Sequence, residues 1–306
     1  MPKNKITNTK ENKGEKRKLL SPKLDVVFQV LFGEKGSENI TKKILKAILK
    51  EPINKVDLSR NPILRRQKIK GKMGVLDVIA ELNEKEMCDI EMQVGEQENI
   101  IKRILYYWAR VYASNINKKE DYEVLKRTIA ILIADFEIPG LKELGYYTDW
   151  KLIETESRKV ILTDTIEIVI IELPKIYRLK EEEQDKELLD WLYFLEDPNS
   201  KRVMDAMKEN EGIREAREKL EEMSNDVIMQ RLAEYRESAI IEENEARNTA
   251  LHKGIAQGRE EGLKEGLEQG EKKKQYEIAK KLKNKGIAIE EIMEITDLPK
   301  EEVEKL

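Results

Sequence analysis

The nine residues TIAILIADF at 128–136 constrain this chain more than any other stretch. Apolar side chains stand at odd and even positions alike, so as a strand the run must be buried on both faces. Such a strand needs neighbours in a sheet and cover above and below it. Both are available along the chain. GVLDVIAEL (74–82) and MCDIEMQV (87–94) alternate with period two, and KLIETES (151–157) and TIEIVIIEL (165–173) read as further strands. Ser21-Pro22 reads as a helix start, LDVVFQVLFG follows, and Gly33 marks the stop. A second helix spans Glu38–Leu49 and ends before Pro52. A third, amphipathic, covers 98–116, with Ile100, Ile104, Tyr107, Trp108 and Val111 near helical spacing. The reading is an α/β domain over residues 21–179, a mixed sheet flanked by helices.

Charge is unevenly spread. The net value is only −4, but residues 1–72 carry 20 Lys or Arg against 7 Asp or Glu, so the basic end sits on an acidic remainder. That asymmetry fits an anionic partner for the basic end; for residues 1–20 a solvated lysine-rich tail explains it equally well. The stretch 53–72 is the densest basic run near any candidate site, with Arg65, Arg66 and Lys68 at its centre.

Several chemistries are excluded by what is missing. The one histidine, His252, lies in a charged helical tract, which removes Ser-His-Asp and Cys-His hydrolases and histidine-rich zinc sites. The one cysteine, Cys88, rules out an internal disulfide and fits a reducing compartment. Neither a GxxxxGK[ST] loop nor a GxGxxG after a strand occurs. No apolar run reaches 18 residues and the N-terminus has no apolar core, so the expected location is a bacterial cytoplasm, with no membrane partner. What remains is carboxylate and amide chemistry.

Carboxylates gather on the pair of strands at 74–94. Leu76, Val78, Ala80 and Leu82 form one apolar face with Cys88, Ile90, Met92 and Val94; the other face carries Asp77 and Glu81, and Asp89, Glu91 and Gln93. A three-residue connection, Asn83-Glu84-Lys85, pairs Leu82 with Glu86 and sets Asp77 opposite Glu91, whereas a two-residue one would break the apolar face. Mg²⁺ and similar cations take one or two protein carboxylates, and Asp77 with Glu91 is such a pair. A half-solvated hairpin with acids on its wet face has the same pattern. The expected placement of both acids is that solvent face.

Beyond 179 the chain turns charged and helical. Residues 180–253 hold one dense apolar patch, at Leu188, Leu189, Trp191, Leu192 and Phe194. Glycine then recurs every fourth residue from Gly254 to Gly270 within 254–274, costing a helix about 1 kcal/mol each, so the row is either a close-packing surface or a weak helix. Residues 275–306 read as a small helical module with turns at Lys285-Gly286 and at Asp297-Leu298-Pro299. Its spacing is that of a helix-turn-helix, but 289–306 contains seven acids and two lysines, a charge that phosphates repel. A protein-contact role is expected, with self-association, as a dimer, assigned to 254–306.

The succession DVVFQVLFG, a helix beginning ENI, LDVIAEL, DIEMQV, KRILYYWARVYA and TIEIVIIELPKI, in that order over residues 21–177, resembles the bacterial recombination-promoting nuclease and transposase (Rpn) family. The resemblance implies a restriction-endonuclease-like PD-(D/E)XK core with an α-helical C-terminal extension. It also implies a DNA endonuclease that uses Mg²⁺ or another divalent cation and is associated with recombination or mobile elements. Carried onto this chain, Asp77 is the central acid, Glu91 the second acid and fellow metal ligand, and Asp25 falls on the family's N-terminal acidic position. Gln93 stands where many such nucleases have lysine, and Leu76 replaces the proline of the motif. Gln93 would position the attacking water, leaving charge stabilisation to the metal and Arg103, with Tyr107 one turn later; a surface arginine paired with an acid is the plainer reading of Arg103. The alternative function is a catalytically degenerate nuclease fold that binds nucleic acid or protein.

Overall fold

The computed structural model describes residues 18–61, 78–96, 98–179 and 185–306. The chain divides into two units, Met1–Ala239 and Ile240–Leu306.

In the first unit α1 (Asp25–Gly33) is apolar except for Asp25 and Gln29 and is buried from Val27 to Gly33, as a helix beneath other helices must be. α2 (Glu38–Leu49) matches its expected limits and ends where Lys50 turns left-handed, its N–H bonded to the Lys46 carbonyl. Six strands follow: β1 (Val56–Asp57), β2 (Val78–Leu82), β3 (Glu86–Gln93), β4 (Arg127–Ala134), β5 (Tyr147–Lys151) and β6 (Ile166–Glu172), with α3 (Ile100–Ala113) between β3 and β4. They form one sheet in the order β1-β2-β3-β4-β6-β5. β3, β4 and β6 run parallel in its centre, while β2 pairs antiparallel with β3 and β5 with β6. The run at 128–136 is thus the middle strand β4, buried on both faces.

The turn between β2 and β3 uses the three residues expected, with Leu82 paired to Glu86. Asn83 and Glu84 both have positive φ, the conformation that matches strand twist in a tight hairpin. Asn83 also accepts the backbone N–H groups of Asn54 and Lys55, which anchors β1 at the sheet edge.

Two expectations need correction. The acid-bearing face of β3 is not wet: Asp89, Glu91 and Gln93 are all buried. The reason is that β3 is an inner strand, and its face continues through Ala130, Leu132 and Ala134 of β4, against which Ile100 and Ile104 of α3 pack. The segment KLIETES is not a sheet strand beyond Lys151. β5 instead takes in Tyr147–Lys151, and residues past it make only the bridge Ile153 to Ile161.

α4 (Lys186–Glu196), α5 (Lys201–Glu209) and α6 (Glu211–Asn225) belong to the same unit. Trp191 of α4 is enclosed edge-on between Phe32 and Phe194. Gly212 of α6 lies so close to Trp191 and Lys43 that a Cβ there would sit 2.9 Å and 2.7 Å from them. α7 (Val227–Asn284) begins in this unit and continues into the second, which adds α8 (Ile289–Thr296) and α9 (Lys300–Glu304). The second unit has its own small core of Ala279, Ile292, Leu298 and Val303. The two expected turns are present, at Gly286 with positive φ and at Asp297, which closes α8 left-handed. A Cβ at any of Gly254, Gly258, Gly262, Gly266 or Gly270 would meet nothing within 4 Å.

Candidate active site

Period-two geometry puts Asp89, Glu91 and Gln93 in a row on β3, and α3 lies over that face. Glu91 is 2% exposed. Gln93 Nε2 donates to Glu91 Oε2 at 3.1 Å, and Arg103 Nη2 of α3 stands 3.9 Å from the same oxygen. Arg103 is aimed by its neighbour one turn on: its Nε donates to the Tyr107 hydroxyl at 3.0 Å and its guanidinium lies 5.1 Å from the ring centroid. Four of the residues named from sequence, Glu91, Gln93, Arg103 and Tyr107, are therefore brought together, and the Arg103 partner acid is Glu91 itself. Asp77, Arg65, Arg66 and Lys68 lie outside the described residues. The last described pair of the β2–β3 register is Val78 with Ile90.

This cluster approaches the end of the sheet where the three parallel strands finish, the end at which open α/β sheets place ligands. There Asp135, just past β4, donates its N–H to the Gln93 carbonyl at 2.9 Å, and its carboxylate pairs with Lys23 at 2.9 Å. Lys23 also reaches Glu196 at 3.2 Å. Burial pulls the Lys23 ammonium down, but the hydrogen bond and charge of Asp135, with Glu196 behind it, hold it above its ordinary value. Burial raises the Glu196 carboxyl against the opposing pull of Lys23. Asp25 lies two residues on from Lys23. Its Oδ1 accepts from the Val26 N–H at 2.8 Å and from Arg236 Nε at 2.9 Å, and its Oδ2 pairs with Arg236 Nη2 at 2.6 Å. Arg236 carried no signal in the sequence, since it lies 211 residues away in a charged helical tract.

Two other ionic clusters are structural. Glu172 at the end of β6 and Lys175 are both buried and fully hydrogen-bonded: Lys175 Nζ reaches Glu172 at 2.6 Å and the carbonyls of Leu141 and Leu144, while Glu172 accepts the Ile138 N–H. They fasten the loop after β4 to the sheet. At the opposite end Arg127 joins Glu51, Glu86 and Glu167, tying α2 to three strands.

The buried Glu91 carboxylate suits a hard divalent cation, because Mg²⁺ takes one or two carboxylate oxygens from a protein. Among the described residues no group of three or more His, Cys, Asp or Glu is placed to hold a metal alone. None of the described helices is long and apolar enough to cross a membrane.

In comparisons with known proteins, no curated protein and no solved structure matched. The family described as PD-(D/E)XK nuclease family transposase matches residues 22–250, from the approach to α1 through the sheet and into α7. With the match spanning the whole sheet and the helices packed on it, the chain belongs to the PD-(D/E)XK nuclease family transposases.

Proposed function

We propose that the chain is a divalent-metal-dependent DNA endonuclease that hydrolyses phosphodiester bonds in recombination or mobile-element movement. The observation that carries this reading is the buried Glu91 carboxylate held between Gln93 and Arg103. A cation held by Asp77 and Glu91 would polarise a phosphate oxygen and lower the pKa of a bound water.

The chain's own residues do the rest. The Gln93 amide fixes the Glu91 carboxylate by donating to Oε2, so the ligand oxygen needs no reorganisation during the reaction. It brings no charge to the phosphate, which leaves that task to Arg103, a third exposed and set in place by Tyr107. Arg65, Arg66 and Lys68 would follow the DNA backbone. Asp25, the first residue of α1, is assigned a supporting role, with Arg236 as its partner.

The test is nicking of supercoiled plasmid with Mg²⁺, with and without chelator. Asp77→Ala and Glu91→Gln should each lower the rate by at least about 100-fold, the scale of losing one preorganised electrostatic group. Gln93→Ala should cost about tenfold, one hydrogen bond's worth. Glutamine is chosen for Glu91 because the site is buried and alanine would leave a hole. Full activity in either acid variant rejects the site. DNA binding without metal-dependent cleavage by the wild type would instead favour the binding-module reading, to which the amide at Gln93 in place of lysine already lends weight.

A further inference from the structure

Two rows of side chains run along α3 at four-residue spacing. The inner row, Arg103 and Tyr107, leads down to Glu91. The outer row, one position earlier at each turn, is Lys102, Tyr106 and Arg110, and all three are exposed. The rows touch. The Tyr106 ring lies 5.9 Å from the Tyr107 ring, and the Arg110 guanidinium 5.8 Å from the Tyr106 centroid. Contacts therefore run without a break from the buried Glu91 carboxylate through Arg103, Tyr107 and Tyr106 to the surface. There Tyr106 is 59% exposed, with Leu105 and Ile101 bare beside it at 42% and 38%.

The charge on this helix is of one sign. From Asn99 to Lys119 the chain carries Lys102, Arg103, Arg110, Lys118 and Lys119 and no acid, in a protein whose acids outnumber its bases. The acids around it are engaged or stand at its ends. Glu91 lies under Arg103, Glu81 pairs with Arg60 and Lys126, Glu120 accepts from Asn117, Asp121 caps the next turn, and Glu96 and Glu98 precede the helix. Among the described residues neither Lys102 nor Arg110 has an ion-pair partner. Two unpaired cations about 12 Å apart along a helix axis, with a bare tyrosine between them, call for an anion that also has a flat face.

We propose that this outer row is the subsite for the cut strand beside the scissile phosphate, and that it takes unpaired nucleotides, so the substrate is DNA with a single-stranded segment at the site. Lys102 and Arg110 meet separate phosphates and a base stacks on Tyr106, the combination by which single strands are held. An intact duplex keeps its base faces stacked inside and offers only phosphates and base edges, which leaves the tyrosine and the two aliphatic chains without a partner. A second copy of the chain would bring the lysine and arginine of one row against those of the other, with Glu98, just before the helix, the nearest acid to offset them. The placement beside the scissile phosphate rests on the nuclease reading; the binding of unpaired DNA does not.

The test is fluorescence anisotropy of the full chain with one labelled oligonucleotide, single-stranded and annealed to its complement, in chelator so that no cutting intervenes. Tyr106→Ala should weaken single-strand binding by at least about tenfold and duplex binding by less than about twofold, while Tyr106→Phe should bind like the wild type because a phenyl face still stacks. Lys102→Ala combined with Arg110→Ala should lower the slope of log affinity against log salt for the single strand by up to about 1.4. Equal losses on both DNA forms, or no loss on either, overturn the proposal, as does a wild type that binds only the duplex. A Tyr106→Ala chain that sediments as a lighter species than the wild type overturns it in favour of self-association through α3. The two readings fail separately. A wild type that binds the single strand through Tyr106 but never nicks plasmid with Mg²⁺ sinks the nuclease and leaves the row as a strand-binding surface. Metal-dependent nicking by a wild type whose single-strand binding is unmoved by Tyr106→Ala does the reverse.

Discussion

Cys88 is fully enclosed on β3, and burial pushes its thiol well above the usual range, with the Asp89 carboxylate beside it adding to the shift. The thiolate that reacts with alkylating reagents is therefore scarce as well as inaccessible. Iodoacetamide should modify the native chain at least about a thousandfold more slowly than the denatured chain, since labelling waits for an opening that costs several kcal/mol. Rapid native labelling, read by mass spectrometry, would show that β3 separates from its neighbours. The same enclosure explains what was hidden at Glu91. Alternation along 87–94 shows which side chains share a face, and the turn at Asn83 follows from keeping that face apolar. Whether the other face is wet depends on β4 joining β3 in parallel and α3 closing over both, and neither pairing is written in the strand itself.

At the scale of elements, α2 and the β2–β3 turn were legible because each carries local punctuation: Pro52 just past the helix, and a loop length with one workable parity. β5 was displaced because its sequence, YTDWK, alternates poorly and becomes a strand only by pairing with β6. KLIETES sets Leu152 and Ile153 side by side with no alternation, and past Lys151 it forms only the bridge from Ile153 to Ile161. The basic stretch before β2 is marked by its charge. Each phosphate neutralised contributes about 0.9 to the slope of log affinity against log salt, so replacing Arg65, Arg66 and Lys68 together with alanine should flatten that slope by up to about 2.7. An unchanged slope in filter binding across a salt series would show that this stretch faces away from DNA.

For the whole molecule, the glycine row was the feature with two readings, and the open space around it decides how to separate them. Where no neighbour is displaced, replacing Gly258, Gly262 and Gly266 with alanine should stabilise the helix by about 0.5–1 kcal/mol each. Helicity by circular dichroism should rise and the sedimenting mass should stay the same. A fall in mass would assign self-association to residues 254–306, as the sequence leads one to expect, because added methyl groups would then be holding two helices apart. The clamp between Asp25 and Arg236 has a consequence for how the protein is made. The two residues are 211 positions apart, so a ribosome adding about 5–20 residues per second releases the acid about 10–40 s before the guanidinium that grips it. Through that interval the first helix of the nascent chain has its acid without its partner. A product cut short before α7 never acquires the clamp, so loss of the last helices reaches back to the first turn of α1.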